Sequence, residues 1–190
     1  MPGGYVHGDA ATGKVDKSTS HAALRILKQK LGFTPRHLEQ VYTESGPSRD
    51  PRGWSASVVH LALHEPAELQ AQVQDGTLSL HDVHPERHLP SMAFDHRRLF
   101  ETALARLKSK ATHSSVLAHL LPPVFRLSDL RQAYEIVCGT TENKANFRRK
   151  MLAADALVPT DMLIESRGRP AEGYRLREDI AYIEGLISGA

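Results

Sequence analysis

Hydrophobic residues recur along this chain at helical spacing in some stretches and at strand spacing in others, and the order of those stretches predicts its architecture. Residues 5–20 carry little period, and Gly8-Asp9-Ala10-Ala11-Thr12-Gly13-Lys14 reads as a loop. Leu24, Leu27 and Leu31 then fall at i, i+3 and i+7, which predicts a helix. Ser20 is its expected N-cap, and Gly32 stands where a left-handed residue ends a helix. Two strand-like runs follow, 38–43 and 54–63, the second carrying Val58, Val59, Leu61 and Leu63. Residues 45–53 between them are dense in Gly, Pro, Ser and Asp and are expected to form a turn. Residues 64–92 are polar and weakly patterned, and the domain boundary is expected there.

The second half is better patterned. Asp95 can cap a helix over 95–109 whose Phe100, Leu104 and Leu107 keep a stripe at i, i+4 and i+7. A short helix over 114–121 stops at Pro122-Pro123, because proline disfavours helix in the residue before it. Ser128 is the expected cap of a third helix, with Leu130, Ala133, Tyr134 and Val137 on one face and Gly139 closing it. Asn143 is the expected cap of a fourth, in which Phe147, Met151 and Ala154 share a face. After Leu157-Val158 and a break at Pro159 come a short strand 162–164, a turn Arg167-Gly168-Arg169-Pro170 and a second strand 174–176. The sequence carries no internal repeat and no low-complexity tract.

Composition narrows the classes. The 190 residues leave room for one or two domains, and 41% hydrophobic with 24% charged residues is an ordinary globular balance. No apolar run approaches the roughly 18 residues that span a bilayer. The first ten residues are Gly-rich and polar and carry no secretory signal, so a cytoplasmic protein is expected. Cys138 is the only cysteine, which excludes an internal disulfide framework and a cysteine-based zinc site. A net charge of +2 does not by itself mark a nucleic-acid binder. Its distribution is more informative: residues 1–90 hold nine basic against ten acidic residues, and residues 91–190 hold fifteen against twelve. The second half is where an anionic partner is to be sought.

Helix, tight turn, helix and a two-stranded hairpin is the order of a winged helix-turn-helix, in which the second helix of the pair enters the major groove. The pair here is 128–138 and 143–155. With Phe147 facing the core, about 100° per residue turns Ala145, Asn146, Arg149 and Ala153 outward and leaves Arg148 and Lys150 on the two shoulders. An outward Asn can bond adenine at two points, and an outward Arg can bond guanine O6 and N7. Shoulder cations meet phosphates and set the register. The hairpin tip adds Arg167 and Arg169 around a Gly, a shape able to reach the minor groove. The expected DNA contacts are Lys144, Asn146, Arg148, Arg149, Lys150, Arg167 and Arg169. A basic run this short could instead be a solvated helix face, and helix-turn-helix folds also serve as protein-binding modules. The paired helices and the basic hairpin tip together favour DNA.

Other candidates carry less. His81, His84 and His88 lie within eight residues, but no cysteine or regular helix supports them and Pro85 interrupts, so a solvated linker is expected and no metal site. Cys138 is expected to pack rather than react. Tyr134 belongs to the apolar stripe and is expected in the core, and Trp54 at a strand start is expected to pack.

Several separated motifs resemble one family. Arg25-Ile26-Leu27-Lys28-Gln29-Lys30-Leu31-Gly32-Phe33 looks like the end of a Nudix box, whose pattern is Arg-Glu-apolar-x-Glu-Glu-x-Gly-apolar preceded by Pro-Gly-Gly, and Pro2-Gly3-Gly4 stands in that place. Residues 38–43, Arg49-Asp50-Pro51-Arg52-Gly53-Trp54-Ser55-Ala56-Ser57-Val58, Ala93-Phe94-Asp95-His96 and Leu120-Leu121-Pro122 resemble the NrtR-type Nudix-related transcriptional regulators, including the NadQ group. So do Asn146-Phe147-Arg148-Arg149-Lys150 and Gly168-Arg169-Pro170. The resemblance runs from Pro2 to about Arg177.

It implies an α+β chain: a partial Nudix-like α/β/α effector-sensing domain over 1–90, a connecting helix over 91–112 and a winged helix-turn-helix domain over 113–190. Two departures shape the expectation. Nudix enzymes use box glutamates to hold magnesium and activate water on a diphosphate, whereas the expected Glu positions here carry Ile26, Gln29 and Lys30. Lys30 would repel the cation, so no catalysis, metal or cofactor is expected; a hydrolase with a divergent box is the alternative. A complete Nudix domain of this family also has strands ahead of the Pro-Gly-Gly, so an N-terminally shortened sheet is expected, from a late start codon or a fragment. The family implies a homodimeric, nucleoid-associated repressor of NAD-metabolism genes that binds operator DNA under control of an ADP-ribose-like nucleotide. Arg49 and Arg52 are the expected effector contacts, since guanidinium forks suit phosphate; the alternative for them is a structural turn with an internal salt bridge.

Overall fold

The structure, a computed structural model, describes residues 1–177 apart from 10, 12, 83–88, 113 and 166–168. The chain divides into two compact units, Met1–Leu104 and Ala105–Ala190.

In the first unit a small antiparallel pair, β1 (Gly8–Asp9) and β2 (Lys14–Val15), precedes helix α1 (Thr19–Leu31). The Ser18 hydroxyl caps α1 by accepting from the His21 N–H at 3.0 Å, and Gly32 ends it at φ 75°. The cap is thus two residues upstream of the expected Ser20, which lies inside the first turn with its hydroxyl 3.5 Å from His60 Nε2. A long hairpin follows: β3 (His37–Asp50) pairs antiparallel with β4 (Gly53–Leu63). The expected turn over 45–53 is therefore mostly strand, and only Pro51 and Arg52 separate the two. A register shift between Gly46 and Asp50 absorbs Pro47, which cannot donate to a regular ladder. The expected polar connection after 64 holds a 3₁₀ turn, Pro66–Leu69, anchored by buried Leu69, and a short helix α2 (Gln70–Gln74).

Helix α3 spans His96–Ala111, and the division between the units falls within it. Its buried stripe is Leu99, Ala103, Leu107 and Ala111, rotated from the expected Phe100 and Leu104, which are half-buried. Asp95 accepts the Leu99 N–H through its backbone carbonyl, because its carboxylate is held by Arg49.

The second unit continues with a 3₁₀ turn, Val116–Leu120, whose first three residues are buried. Helix α4 (Leu127–Cys138) starts at Arg126, not at the expected Ser128 cap: the Arg126 N–H donates to Asp129 Oδ2 at 3.1 Å, and its guanidinium pairs with the same carboxylate at 2.7 Å. Gly139, at φ 69°, closes α4 as expected, and Asn143 caps α5 (Lys144–Ala153). The wing is β5 (Leu157–Ile164) paired antiparallel with β6 (Ala171–Leu176). The expected break at Pro159 is not there. The strand passes through Pro159, and the register shift between Pro159 and Leu163 relieves the proline of a ladder bond. Phe125 adds a bridge to the wing, its N–H donating to the Tyr174 carbonyl at 2.9 Å and its carbonyl accepting the Tyr174 N–H at 2.8 Å.

The core of this unit is Phe125, Leu130, Tyr134, Phe147, Met151, Leu157 and Tyr174, with Tyr134 and Phe147 rings 5.8 Å apart. Gly173 is needed for close approach: a Cβ there would lie 2.7 Å from Val124 Cγ1 and 2.9 Å from the Met162 carbonyl oxygen. Gly173→Ala is expected to destabilise the unit by about 1–3 kcal/mol, read as a lower urea midpoint with unchanged slope.

Candidate nucleic-acid interface

Helix α5 owes its start to Asn143, whose Oδ1 accepts from the Ala145 and Asn146 N–H groups at 3.0 and 3.1 Å. One side of α5 is fixed by burial of Phe147 and Met151. The other side carries Lys144, Ala145, Asn146, Arg148, Arg149 and Ala153, all exposed, with Lys150 half-buried. The rotation expected from the sequence is the one found. Arg149 Nη2 lies 3.5 Å from Asn146 Oδ1, so the two residues able to read base edges stand together. Arg148 leans toward the wing, with Nη2 3.6 Å from Glu172 Oε2 and its Cζ 5.9 Å above the Tyr174 ring. Arg169 is exposed just ahead of β6; Arg167 lies outside the described residues.

The turn between α4 and α5 is pinned by residues that the sequence reading did not single out. Arg131 pairs with Glu135 at 2.6 Å and donates to the Glu142 carbonyl at 3.2 Å. Glu135 in turn accepts the Glu142 N–H at 2.8 Å. The i, i+4 spacing of Arg131 and Glu135 was the available signal. Tyr134 is buried as expected, and burial pushes its hydroxyl up to about 12. Cys138 beside it is half-buried, and the same cause raises its thiol.

In the first unit, the helix that resembles a Nudix box is held by internal bonds. Arg25 donates to both oxygens of Asp16, at 2.9 and 2.7 Å, and to the Tyr5 carbonyl at 2.9 Å. These bonds keep the Asp16 carboxyl well below the usual carboxylate range. Lys30 Nζ donates to the Gly3 carbonyl at 2.6 Å, and Gln29 accepts from Arg25 at 3.3 Å. Lys30 thus puts a fixed positive charge at this helix end. Among the described residues no group of three or more His, Cys, Asp or Glu side chains is placed to hold a metal ion. Of the three histidines, His81 is exposed, and His84 and His88 lie outside the described residues.

Arg49 and Arg52 are both engaged. Arg49 donates to Asp95 at 2.7 Å, to Ser57 Oγ at 2.9 Å and to the Glu44 carbonyl at 3.3 Å, and its side chain is only 12% exposed. Arg52 closes the hairpin tip on Asp50 at 2.6 Å, the internal turn pair, while its side chain stays 75% exposed. The Asp50 carboxyl falls to about 2 through that bond. Trp54, expected to pack, is 68% exposed, because β4 begins at the exposed turn Pro51-Arg52.

The Arg49–Asp95 pair and a second one, Arg98–Glu44 at 2.5 Å, join β3 to the start of α3. Bonding to the arginines lowers both carboxyls. Their folded values lie below their unfolded ones, so the stability they contribute is present above about pH 4 and is lost as pH falls through the folded values. Asp95→Asn is expected to lower the urea midpoint at pH 7 and to flatten its decline between neutral pH and pH 3.

No helix among the described residues is long and apolar enough to cross a membrane. Comparison with known proteins matches the second unit to the NrtR DNA-binding winged helix domain over residues 117–176. The ADPR responsive transcriptional repressor NtrR of Acinetobacter baylyi is 34% identical over 175 residues, spanning 92% of this chain and 68% of that protein. The crystal structure of Shewanella oneidensis NrtR complexed with a 27mer DNA is similar at TM-score 0.82 and 33% identity, over 100% of this chain and 84% of that one. A MutT/nudix family protein from Enterococcus faecalis is similar in fold at TM-score 0.68 and 23% identity, over 93% of this chain and 73% of that one. Its architecture is accordingly a Nudix-like unit followed by a winged helix-turn-helix, and the chain belongs to the NrtR family of transcriptional regulators.

Proposed function

We propose that this chain represses genes of NAD metabolism as a cytoplasmic, nucleoid-associated homodimer whose hold on operator DNA is set by an ADP-ribose-like nucleotide. The observation that carries the reading is the outward face of α5, where Asn146 and Arg149 stand together above buried Phe147. The Acinetobacter relative is named for its response to ADPR and the Shewanella relative was crystallised on DNA, which favours the same pair of ligands here. Asn146 and Arg149 contact base edges, while Lys144, Arg148 and Lys150 contact phosphates. Arg167 and Arg169 extend the contact from the wing.

The effector binds the Nudix-like unit, with Arg52 offering its exposed guanidinium and Arg49 available on exchange of Asp95 for a phosphate. The ligand changes operator affinity only by its differential affinity for the two arrangements of the protein. The chain passes between the units within α3, and residues 91–112 carry the coupling. The box helix serves packing rather than hydrolysis, because Lys30 and Gln29 stand where hard anionic oxygens would hold magnesium.

The test is a binding assay on the DNA upstream of the chain's own gene, with and without ADP-ribose. Specific binding that shifts with the nucleotide is expected. Equal affinity for that DNA and for random duplex would defeat the regulatory reading. Release of AMP from ADP-ribose and magnesium at ordinary enzyme rates would establish the hydrolase instead.

A further inference from the structure

The cations of α5 are not equivalent. Arg149 turns along the helix to Asn146, whereas Arg148 turns to the wing. Strand β6 places Glu172 and Tyr174 two residues apart, on one face of the hairpin. Tyr174 is a fixed post: it is 2% exposed, and both its backbone groups are bonded to Phe125. Its hydroxyl donates to the Glu172 carboxylate. That carboxylate lies 3.6 Å from Arg148 Nη2, and the Tyr174 ring lies beneath the same guanidinium. The Arg148 and Glu172 side chains are 54% and 47% exposed, so the pair is open to competitors from solvent.

We infer that Glu172 is a positioning residue for DNA binding: it holds Arg148 against the wing, so that any phosphate contact by Arg148 must first displace an internal carboxylate. The inference rests on α5 being the DNA face. A half-exposed ion pair is weak enough for a phosphate, with its full charge and several acceptor oxygens, to replace it. The replacement still exchanges one anion for another. Arg148 therefore adds less to loose, sequence-independent binding than an unpaired arginine on the same helix would. Glu172 thereby suppresses binding to irrelevant DNA while leaving Asn146 and Arg149 untouched.

The test uses a random-sequence duplex and the whole chain. Glu172→Gln keeps the shape of the side chain and removes its charge. Affinity for the random duplex is expected to rise several-fold, and the slope of log K against log salt to steepen by about 0.9, the release from one more phosphate. In an Arg148→Ala background the same change is expected to alter neither quantity. Thermal melting of Glu172→Gln at the wild-type midpoint shows that the wing is intact.

An unchanged salt slope, or weaker binding, in Glu172→Gln overturns the inference. Equal gains with and without Arg148 also overturn it, since Glu172 would then be a general repeller of phosphate. A wild-type chain with no salt-dependent binding to duplex removes the reading of α5 as the DNA face, and the inference with it. A normal wild-type slope that the variant leaves unmoved removes the inference alone.

Discussion

Phe125→Ala is expected to cost the second unit about 3–5 kcal/mol, the range for deleting a fully buried phenyl ring. Phe125 is the largest fully buried side chain among the described residues, it bridges to the wing at Tyr174, and Phe147 and Met151, which orient α5, are buried in the same unit. A loss of that size is a large share of the stability of an ordinary domain, so α5 and the wing should lose their order together. Urea denaturation followed by far-UV circular dichroism reads the stability directly, and DNA binding should fall in parallel across all sequences. A cost below about 1 kcal/mol would mean that the site collapses without a cavity and that Phe125 is not the centre of this core.

Arg149→Ala is expected to lower operator affinity by ~1–3 kcal/mol, about 5- to 150-fold, while changing affinity for random duplex much less. The reasoning is geometric. Arg149 lies on the face of α5 opposite Phe147 and Met151, beside Asn146, where a bidentate bond to guanine is available. Lys150 is half-buried on the shoulder, so Lys150→Ala is expected to weaken operator and random DNA alike and to reduce the salt slope by roughly one phosphate. Titrations of both variants against both duplexes at three salt concentrations separate the roles. If the two substitutions act identically on operator and random DNA, the division of α5 into a reading face and a positioning shoulder is wrong.

The second unit was more legible in the sequence than the first because helices announce themselves by period and by caps. Gly139 and Asn143 mark the end of α4 and the start of α5, and a single buried residue, Phe147, then fixes which side faces outward. Caps misled where a better-placed group was available. Ser128 lost to Arg126 and Asp129, which satisfy the first turn of α4 through a charged pair, and Ser20 lost to Ser18. Proline misled in both hairpins. Pro47 and Pro159 read as breaks, yet a register shift lets each sit in a strand without donating. Asp95 read as a cap from local sequence, but its carboxylate is drawn to Arg49, forty-six positions away, a preference no local pattern contains. The same long-range pairing put Arg49 mostly out of solvent and left Arg52 at the surface, a difference that two arginines in one turn cannot display in sequence. Glu172 carries no local signal for the same reason, since its meaning depends on where Tyr174 and Arg148 meet it.

The bridge between Phe125 and Tyr174 governs how the chain can be cut. A fragment that begins at Leu127, where the helix pair starts, would lose buried Phe125 and the two backbone bonds it makes to Tyr174, leaving β6 with β5 alone as its strand partner. Because Leu107, Ala111, Val116 and Leu117 are also buried, a reader module that holds together on its own has to reach back to about Ala105. Shorter truncations should express as frayed, protease-sensitive species even though they contain every residue assigned to DNA.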